Sequence, residues 1–236
     1  MRLGQTSAVM FVSRFGSSIL GFVATVYFAR TLGSEVLGIY FLASAIAAWA
    51  KIGTNVGVPY AVTKRVSEQN DKQEHVIAGL LLISTALVIA SVLLYVFRDL
   101  VNQYLGAPLY YLVILLLSSQ VIYGYVGSVI KGEELVHVEG LLRLVQTTSR
   151  VIFQLVLVYI GFEVAGLLLG EIAAYVLITG VGAGLLVTYF GRSVPVAYPE
   201  KNHFGSIVDF AKYSILGRVQ GRAYNLMDTV VLGFFV

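Results

Sequence analysis

Long apolar segments constrain this chain more than any other feature. Seven of them lie between short polar connectors, and a helix needs about 20 apolar residues to cross a bilayer. Charged residues make up 12% of the chain, roughly half the share of a soluble domain. They are too few to cover a surface that faces water. The sequence predicts an all-α, polytopic transmembrane helical bundle, with spans at about 8–29, 39–62, 76–97, 109–130, 140–161, 164–190 and an incomplete 207–236.

The connectors divide the chain into three parts. Residues 1–190 hold about six spans and are predicted to form one transmembrane lobe. Residues 191–206 contain Pro195 and Pro199 and read as a cytoplasmic linker, and 207–236 supply the seventh span. The linker therefore marks a boundary between two helical bundles.

The fifth span has an alternative position. Residues 151–170 are also long and apolar enough, but Glu163 would then lie near mid-membrane, where a charge costs roughly 2.5–3.5 kcal/mol. We therefore prefer 140–161. The first span has no small-residue cleavage site behind it and is followed by further spans, so it is predicted to be a transmembrane helix rather than a secretory signal.

Connector charges indicate the orientation. With the N-terminus inside, the inner segments carry seven Lys or Arg residues and the outer connectors carry two. Positive residues favour the cytoplasmic side, so we predict a multi-pass protein of the cell (plasma or inner) membrane with a cytoplasmic N-terminus. In a membrane protein the position of the positive residues is more informative than the net charge of +3, and no nucleic-acid partner is expected. The inner set is Arg2, Lys64, Arg65, Lys72, Lys131, Arg192 and Lys201; the outer set is Arg30 and Arg98.

Several ionisable residues lie within or at the ends of the apolar segments. If all faced lipid at mid-depth, the cost would be on the order of 20 kcal/mol, more than a fold can absorb. Most must therefore face one another, water or an anionic ligand. They are Arg14, Lys51, Arg143, Arg150, Glu171, Arg218, Arg222 and Asp228.

Helical spacing places most of these charges on polar stripes, because residues three or four apart share a helix face. The stripes hold more Arg and Lys than acids, which predicts a solvated cationic cavity between helices. The fifth span contributes Glu139, Arg143, Gln146, Arg150 and Gln154; the first, Arg14, Ser18, Gly21 and Thr25; the second, Lys51 and Asn55; the last, Arg218, Arg222 and Asn225, with Asp228 further round.

Simpler explanations stay open for some of these residues. Arg14, Lys131 and Arg143 lie close enough to the inner ends of their spans to reach the headgroups. Glu139 and Arg143 are four residues apart in a favourable order for a local ion pair. Glu171 lies near the start of the sixth span and fits an interface position. The cations deeper in the spans are the stronger candidates for a buried functional role.

The sequence lacks the residue patterns that several other kinds of site require. The chain has no cysteine, which excludes disulfides, thiolate metal sites and thiol nucleophiles. We find no HExxH, no phosphate-binding glycine loop and no loop-borne pair of aspartates of the kind a metal-dependent glycosyltransferase needs. The three histidines, His75, His137 and His203, fall in inner connectors without metal-ligand spacing and are predicted to be solvated. We expect no cofactor, no metal and no enzymatic reaction.

Two stretches resemble a known family. ARTLG at Ala29–Gly33, Gly38-Ile39-Tyr40 and VTKRVSE at 62–68 lie in a segment similar to the start of polysaccharide-biosynthesis membrane proteins. These are the O-antigen and lipid-linked oligosaccharide flippases of the multidrug/oligosaccharidyl-lipid/polysaccharide exporter superfamily. Residues 210–235 resemble the family's seventh span, in which an aspartate precedes an apolar run, as Asp228 does here.

The resemblance implies an architecture and a mechanism. Family members have two pseudo-symmetric lobes that move a lipid-linked substrate between leaflets by alternating access, so this chain would be the N-terminal six-helix lobe plus the seventh span. A two-lobe transporter encloses its site between both halves, so we expect the natural protein to be about twice as long.

The expected function is a flippase for an isoprenoid-(pyro)phosphate-linked oligosaccharide, in contact with membrane lipid and with glycan polymerase or glycosyltransferase machinery. Guanidinium groups suit the phosphate because they stay charged and offer paired donors. Asp228 and Glu171 are assigned to ion coupling or an ion pair. The substrate-binding candidates are Arg150, Arg143, Lys51, Arg218, Arg222, Asn55, Gln146 and Gln154.

Four alternatives remain. A multidrug exporter of the same superfamily would need acidic residues for organic cations, whereas a lipid II flippase would also suit a cationic cavity. A membrane-embedded glycosyltransferase or polymerase would need a catalytic base and usually a large loop. A non-transporting assembly subunit would tolerate neutralisation of Arg150 and Arg218.

Overall fold

The computed structural model describes residues 3–55, 57–68, 71–190 and 199–211. Regular structure in this part of the chain is entirely α-helical, which confirms the predicted fold class. The helices are α1 (Leu3–Asn55), α2 (Val58–Ser67), α3 (Lys72–Val96), α4 (Arg98–Leu105), α5 (Tyr110–Gly132), α6 (Val136–Tyr159), α7 (Glu163–Phe190) and α8 (201–211).

Five of these helices are long and apolar enough to cross a membrane. The first, Phe11–Asn55, has 45 residues, about twice the length that one crossing requires. It is interrupted at Gly33, whose φ of 85° and ψ of 172° are not helical. This backbone region is essentially restricted to glycine, so Gly33 is where the helix can change direction.

The chain folds back at Gly33. In a straight helix Arg14 and Lys51 would lie about 55 Å apart, at 1.5 Å per residue, yet both line one cavity. The two arms of α1 therefore run side by side and make two crossings. With α3, α5, α6 and α7, the described chain has the six spans that the apolar pattern predicts.

Helix α5 is the centre of the bundle and packs against α1, α2, α3, α6 and α7. Several of its large side chains are fully buried, among them Leu112, Leu116 and Leu117. The first arm of α1 is different, because Phe11, Phe15 and Phe22 are more than half exposed. Exposed apolar faces of this kind suit contact with lipid, and the chain is a multi-pass membrane protein.

The structure corrects the second predicted span, 39–62. Its helix ends at Asn55 and a new helix starts at Val58, because Gly57 has a left-handed φ of 77°. Pro59 follows in the first turn of α2, where its missing N–H leaves no helical hydrogen bond unmade. Apolar composition continues across this break, so hydropathy alone could not reveal it.

The predicted connectors also contain helix. Most of 98–108 forms the short α4, and 201–206 of the predicted linker belong to α8. The boundary between the fifth and sixth spans agrees with the preferred prediction, because α6 ends at Tyr159 and Glu163 opens α7.

Helices α6 and α7 approach each other closely at Gly170. A methyl group on Gly170 would lie 2.6 Å from the backbone nitrogen of Gln154. Small residues permit such contacts between membrane helices. This packing fixes the orientation of α6, the helix with the longest polar stripe.

Candidate functional site

A polar cavity of about 700 Å³ lies among α1, α5, α6 and α7. Both arms of α1 contribute to it, and α6 contributes the most residues. The lining is Arg14, Ser17, Ser18, Lys51, Tyr123, Gly124, Glu139, Arg143, Gln146, Thr147, Arg150 and Tyr175. The predicted cavity between helices is therefore present in the described part of the chain.

Cations dominate the charge of this lining. Arg14, Lys51, Arg143 and Arg150 face one acid, Glu139. The Glu139 carboxylate pairs with Lys131 of α5 at 3.0 Å, a cation that is not part of the lining. The sequence left open a local ion pair between Glu139 and Arg143, and the ion pair that the structure shows for Glu139 joins α5 and α6 instead. The cavity suits a multiply charged anion.

Two glycines bring the deeper cations close to neighbouring helices. A methyl group at Gly21 would lie 3.5 Å from Nη2 of Arg150, and one at Gly124 would lie 3.8 Å from Nζ of Lys51. Arg150 therefore extends from α6 across the first arm of α1. Lys51 extends from the second arm across α5. The two cations belong to different walls of one space.

Several polar atoms of the lining are buried without a hydrogen-bond partner. Within the described ranges, they are Ser17 Oγ, Tyr123 Oη, Gln146 Nε2 and Arg150 Nε. Buried polar groups in native proteins are normally paired, so a cluster of unpaired groups on one cavity indicates a bound ligand or water. Two of the four are N–H donors, which require an acceptor.

Three predicted residues lie outside this lining. Gln154 is buried and its amide donates to the backbone oxygen of Leu167 at 2.9 Å. Glu171 is also buried and accepts a hydrogen bond of 2.6 Å from the Tyr40 hydroxyl. Asn55 is the last residue of α1. Gln154 and Glu171 thus join α1, α6 and α7 behind the cavity, and their assignments to substrate and ion stay predictions.

The remaining predicted residues are Arg218, Arg222 and Asp228. They lie outside the described residues. Their assignment to the same cavity stays a prediction.

Some lining residues were not among the predicted substrate-binding set. Arg14 had been left open between the cavity and the headgroups, and the structure places it in the lining. Thr147 shares a face with Arg143 and Arg150, so helical spacing could have identified it. Tyr123 and Tyr175 could not be identified in that way, because α5 and α7 have no cationic stripe to mark the inward face.

The connectors hold a small cluster that corrects one prediction. His75 is buried rather than solvated, and its ring meets that of His203 edge-on at 4.9 Å. His203 lies 3.8 Å from the Asp71 carboxylate. These contacts attach α8 to the start of α3. Over the described ranges, no group of three His, Cys, Asp or Glu residues is arranged to hold a metal ion.

Comparison with known proteins assigns this architecture to a family. A family model described as polysaccharide biosynthesis protein matches residues 3–236. The probable flippase AglR of Haloferax volcanii is 27% identical over all of this chain and 48% of its own length. The probable low-salt glycan biosynthesis flippase Agl15 of the same organism is 27% identical over 49% of its length. The chain spans about half the length of the curated relatives it matches.

Solved structures give the same fold at lower identity. A MOP superfamily transporter from Pyrococcus furiosus, for which a reversed polarity of the binding pocket suggests a different function, matches with a TM-score of 0.69 and 16% identity, over 89% of this chain and 50% of that one. A MATE transporter in the straight conformation matches with a TM-score of 0.67 and 19% identity, over 91% and 52%. Half of such a transporter therefore corresponds to the fold described here.

Proposed function

The chain belongs to the polysaccharide biosynthesis protein family, and we propose that it moves an isoprenoid-(pyro)phosphate-linked oligosaccharide across the membrane by alternating access. The relatives are named as probable flippases, which supports transport as the general activity. The observation that carries the specific proposal is the cationic cavity, in which four cations and a single, already paired acid form the charged lining.

The (pyro)phosphate of the substrate would bind to the cations. Arg143 and Arg150 lie seven residues apart on one face of α6, while Arg14 and Lys51 face them from the two arms of α1. Guanidinium donors bind phosphate oxygens in pairs. A charged headgroup held here would be shielded from the hydrocarbon core while its lipid tail stayed in the bilayer. No bond of the substrate needs to break.

One lobe cannot complete alternating access. Transporters of this kind bind their substrate between two halves that rock against each other. The described helices correspond to about half of the matched transporters, and we assign them to one such half. Arg218, Arg222 and Asp228 would then approach the cavity from the next span, with Asp228 pairing with an arginine when no substrate is bound.

A multidrug exporter fits the same fold less well. Organic cations need acids in the cavity, and the charged residues of this lining are mainly Arg and Lys. A lipid II flippase would use the same cations, and it differs from the main proposal only in the glycan carried.

Transport assays with arginine variants test the proposal. Arg150→Ala and Arg143→Ala should each reduce translocation of a lipid-linked oligosaccharide at least about tenfold, because one charge-assisted hydrogen bond contributes roughly 1.5–3 kcal/mol. Arg150→Lys should retain part of the activity, since it keeps the charge and loses the paired donors.

The matched control is Arg98→Ala. Arg98 lies at the start of α4, is not part of the cavity lining, and contacts the adjacent Asp99 at 3.7 Å and the Tyr95 ring. Its loss should leave translocation unchanged. Normal translocation by a well-folded Arg143→Ala/Arg150→Ala double variant would refute the proposed site.

A further inference from the structure

The cavity has a second wall that phosphate binding does not use. Tyr123 of α5 and Tyr175 of α7 both line it, and their rings contact each other at a centroid distance of 5.2 Å. A phosphate gains nothing from an aromatic surface. Ligand sites that combine aromatic walls with a few fixed polar groups usually orient an uncharged part of the ligand.

The unpaired polar atoms lie beside this aromatic pair. Of the nine buried side-chain atoms without a partner in the described ranges, four belong to the cavity lining. Gln146 is only 6% exposed, and its amide nitrogen has no acceptor. The Tyr123 hydroxyl is likewise buried and unpaired. An amide donor and a phenol, which both donates and accepts, match the hydroxyl groups of a sugar ring.

Helix α6 places these groups next to the cations. Gln146 lies between Arg143 and Arg150, three and four residues from them, on the same face. A group bound to Gln146 would therefore be directly adjacent to a phosphate bound by the two arginines. In a glycosyl phosphate, the unit adjacent to the phosphate is the first sugar.

We propose that Tyr123, Tyr175 and Gln146 form a carbohydrate subsite that binds the sugar attached directly to the phosphate. The inference rests on the proposed function and adds to it the site at which the protein recognises the glycan. The aromatic pair packs against the apolar face of the sugar ring, while Gln146 Nε2 and Tyr123 Oη bond its hydroxyls. The subsite makes the protein selective for glycosyl phosphates over simple phosphate esters.

Binding of small soluble probes to the purified full-length protein tests this. The probes are methyl phosphate and a panel of hexose 1-phosphates, namely those of glucose, galactose, mannose and N-acetylglucosamine, measured by isothermal titration calorimetry. At least one hexose 1-phosphate should bind about tenfold tighter than methyl phosphate, the effect of one or two hydrogen bonds. Tyr123→Phe and Gln146→Met should each remove most of that preference, because each weakens binding of the hexose 1-phosphate more than binding of methyl phosphate.

Tyr125→Phe is the matched control. Tyr125 lies two residues from Tyr123 on α5, but it is buried outside the lining and its hydroxyl donates to the backbone oxygen of Val76. This variant should lower the melting temperature and keep the sugar preference. Methyl phosphate binding that is retained in the Tyr123 and Gln146 variants shows that they are folded.

The possible failures are distinguishable. Equal binding of all probes by the wild type would overturn the subsite, leave the phosphate site intact and assign the unpaired atoms to water. A sugar preference that survives both substitutions would overturn the residues named here. If no probe binds, the cationic site of the proposed function and the subsite both fall.

Discussion

Two glutamines on α6 differ in what their hydrogen bonds do. Gln154 donates to Leu167 and is 3.4 Å from the Tyr40 hydroxyl, whereas Gln146 has an amide nitrogen without a partner. Both lie on the polar stripe that the sequence predicts. Spacing could therefore identify the stripe, but it could not separate the end that faces the cavity from the end that holds helices together. That distinction depends on α7, which reaches the stripe only through tertiary packing.

The contact of Tyr40 with Glu171 predicts a structural effect. Tyr40→Phe removes a donor from a buried carboxylate and should lower the free energy of unfolding by about 1–3 kcal/mol. Tyr159→Phe is the control, because Tyr159 is 93% exposed. Thermal unfolding in detergent measures both. Equal melting temperatures for the two variants would mean that the Tyr40 hydroxyl contributes nothing to stability.

At the scale of helices, the sequence predicts the presence of a span better than it predicts where the helix of that span is interrupted. Apolar length correctly indicates the six spans of the described chain, since the cost of unpaired backbone in lipid requires helical spans. It misses the break at Gly57, which lies inside the predicted span 39–62, whereas the fold-back at Gly33 falls between the predicted spans 8–29 and 39–62. The local backbone angle at a single glycine decides these features.

The close approach of α6 and α7 gives a prediction for this scale. Gly170→Ala should destabilise the bundle by roughly 1–3 kcal/mol, the usual cost of overpacking, because the added methyl would meet the backbone of Gln154, which cannot rotate away. A methyl group added at Gly180 on the same helix would have no neighbour within 4 Å, so Gly180→Ala is the control. It should be neutral or slightly stabilising. Thermal unfolding of the two variants compares them, and a Gly170→Ala protein as stable as the wild type would contradict the packing described here.

At the scale of the whole molecule, the orientation in the membrane stays a prediction with a direct test. The chain has no cysteine, so single cysteines can be introduced without background. Glu68 precedes α3 and Asp99 follows it, and both side chains are exposed. Helix α3 has 25 residues, or about 37 Å, which separates the two positions by a full bilayer.

In intact cells, an impermeant maleimide should label Asp99→Cys, and Glu68→Cys only after permeabilisation. This is the result that a cytoplasmic N-terminus requires. The reverse pattern would invert the orientation while keeping α3 as a span. Labelling of both positions from the same side would refute α3 as a crossing helix.

The contact between Lys131 and Glu139 has a consequence for how the substrate preference of this cavity could change during evolution. Lys131 is not part of the lining, yet it holds the carboxylate of Glu139. If Lys131 were lost, Glu139 would be released one helical turn from Arg143, where an ion pair is favourable. That pair would withdraw an arginine from the substrate. Substrate preference could therefore drift during evolution through a neighbouring position that never touches the substrate.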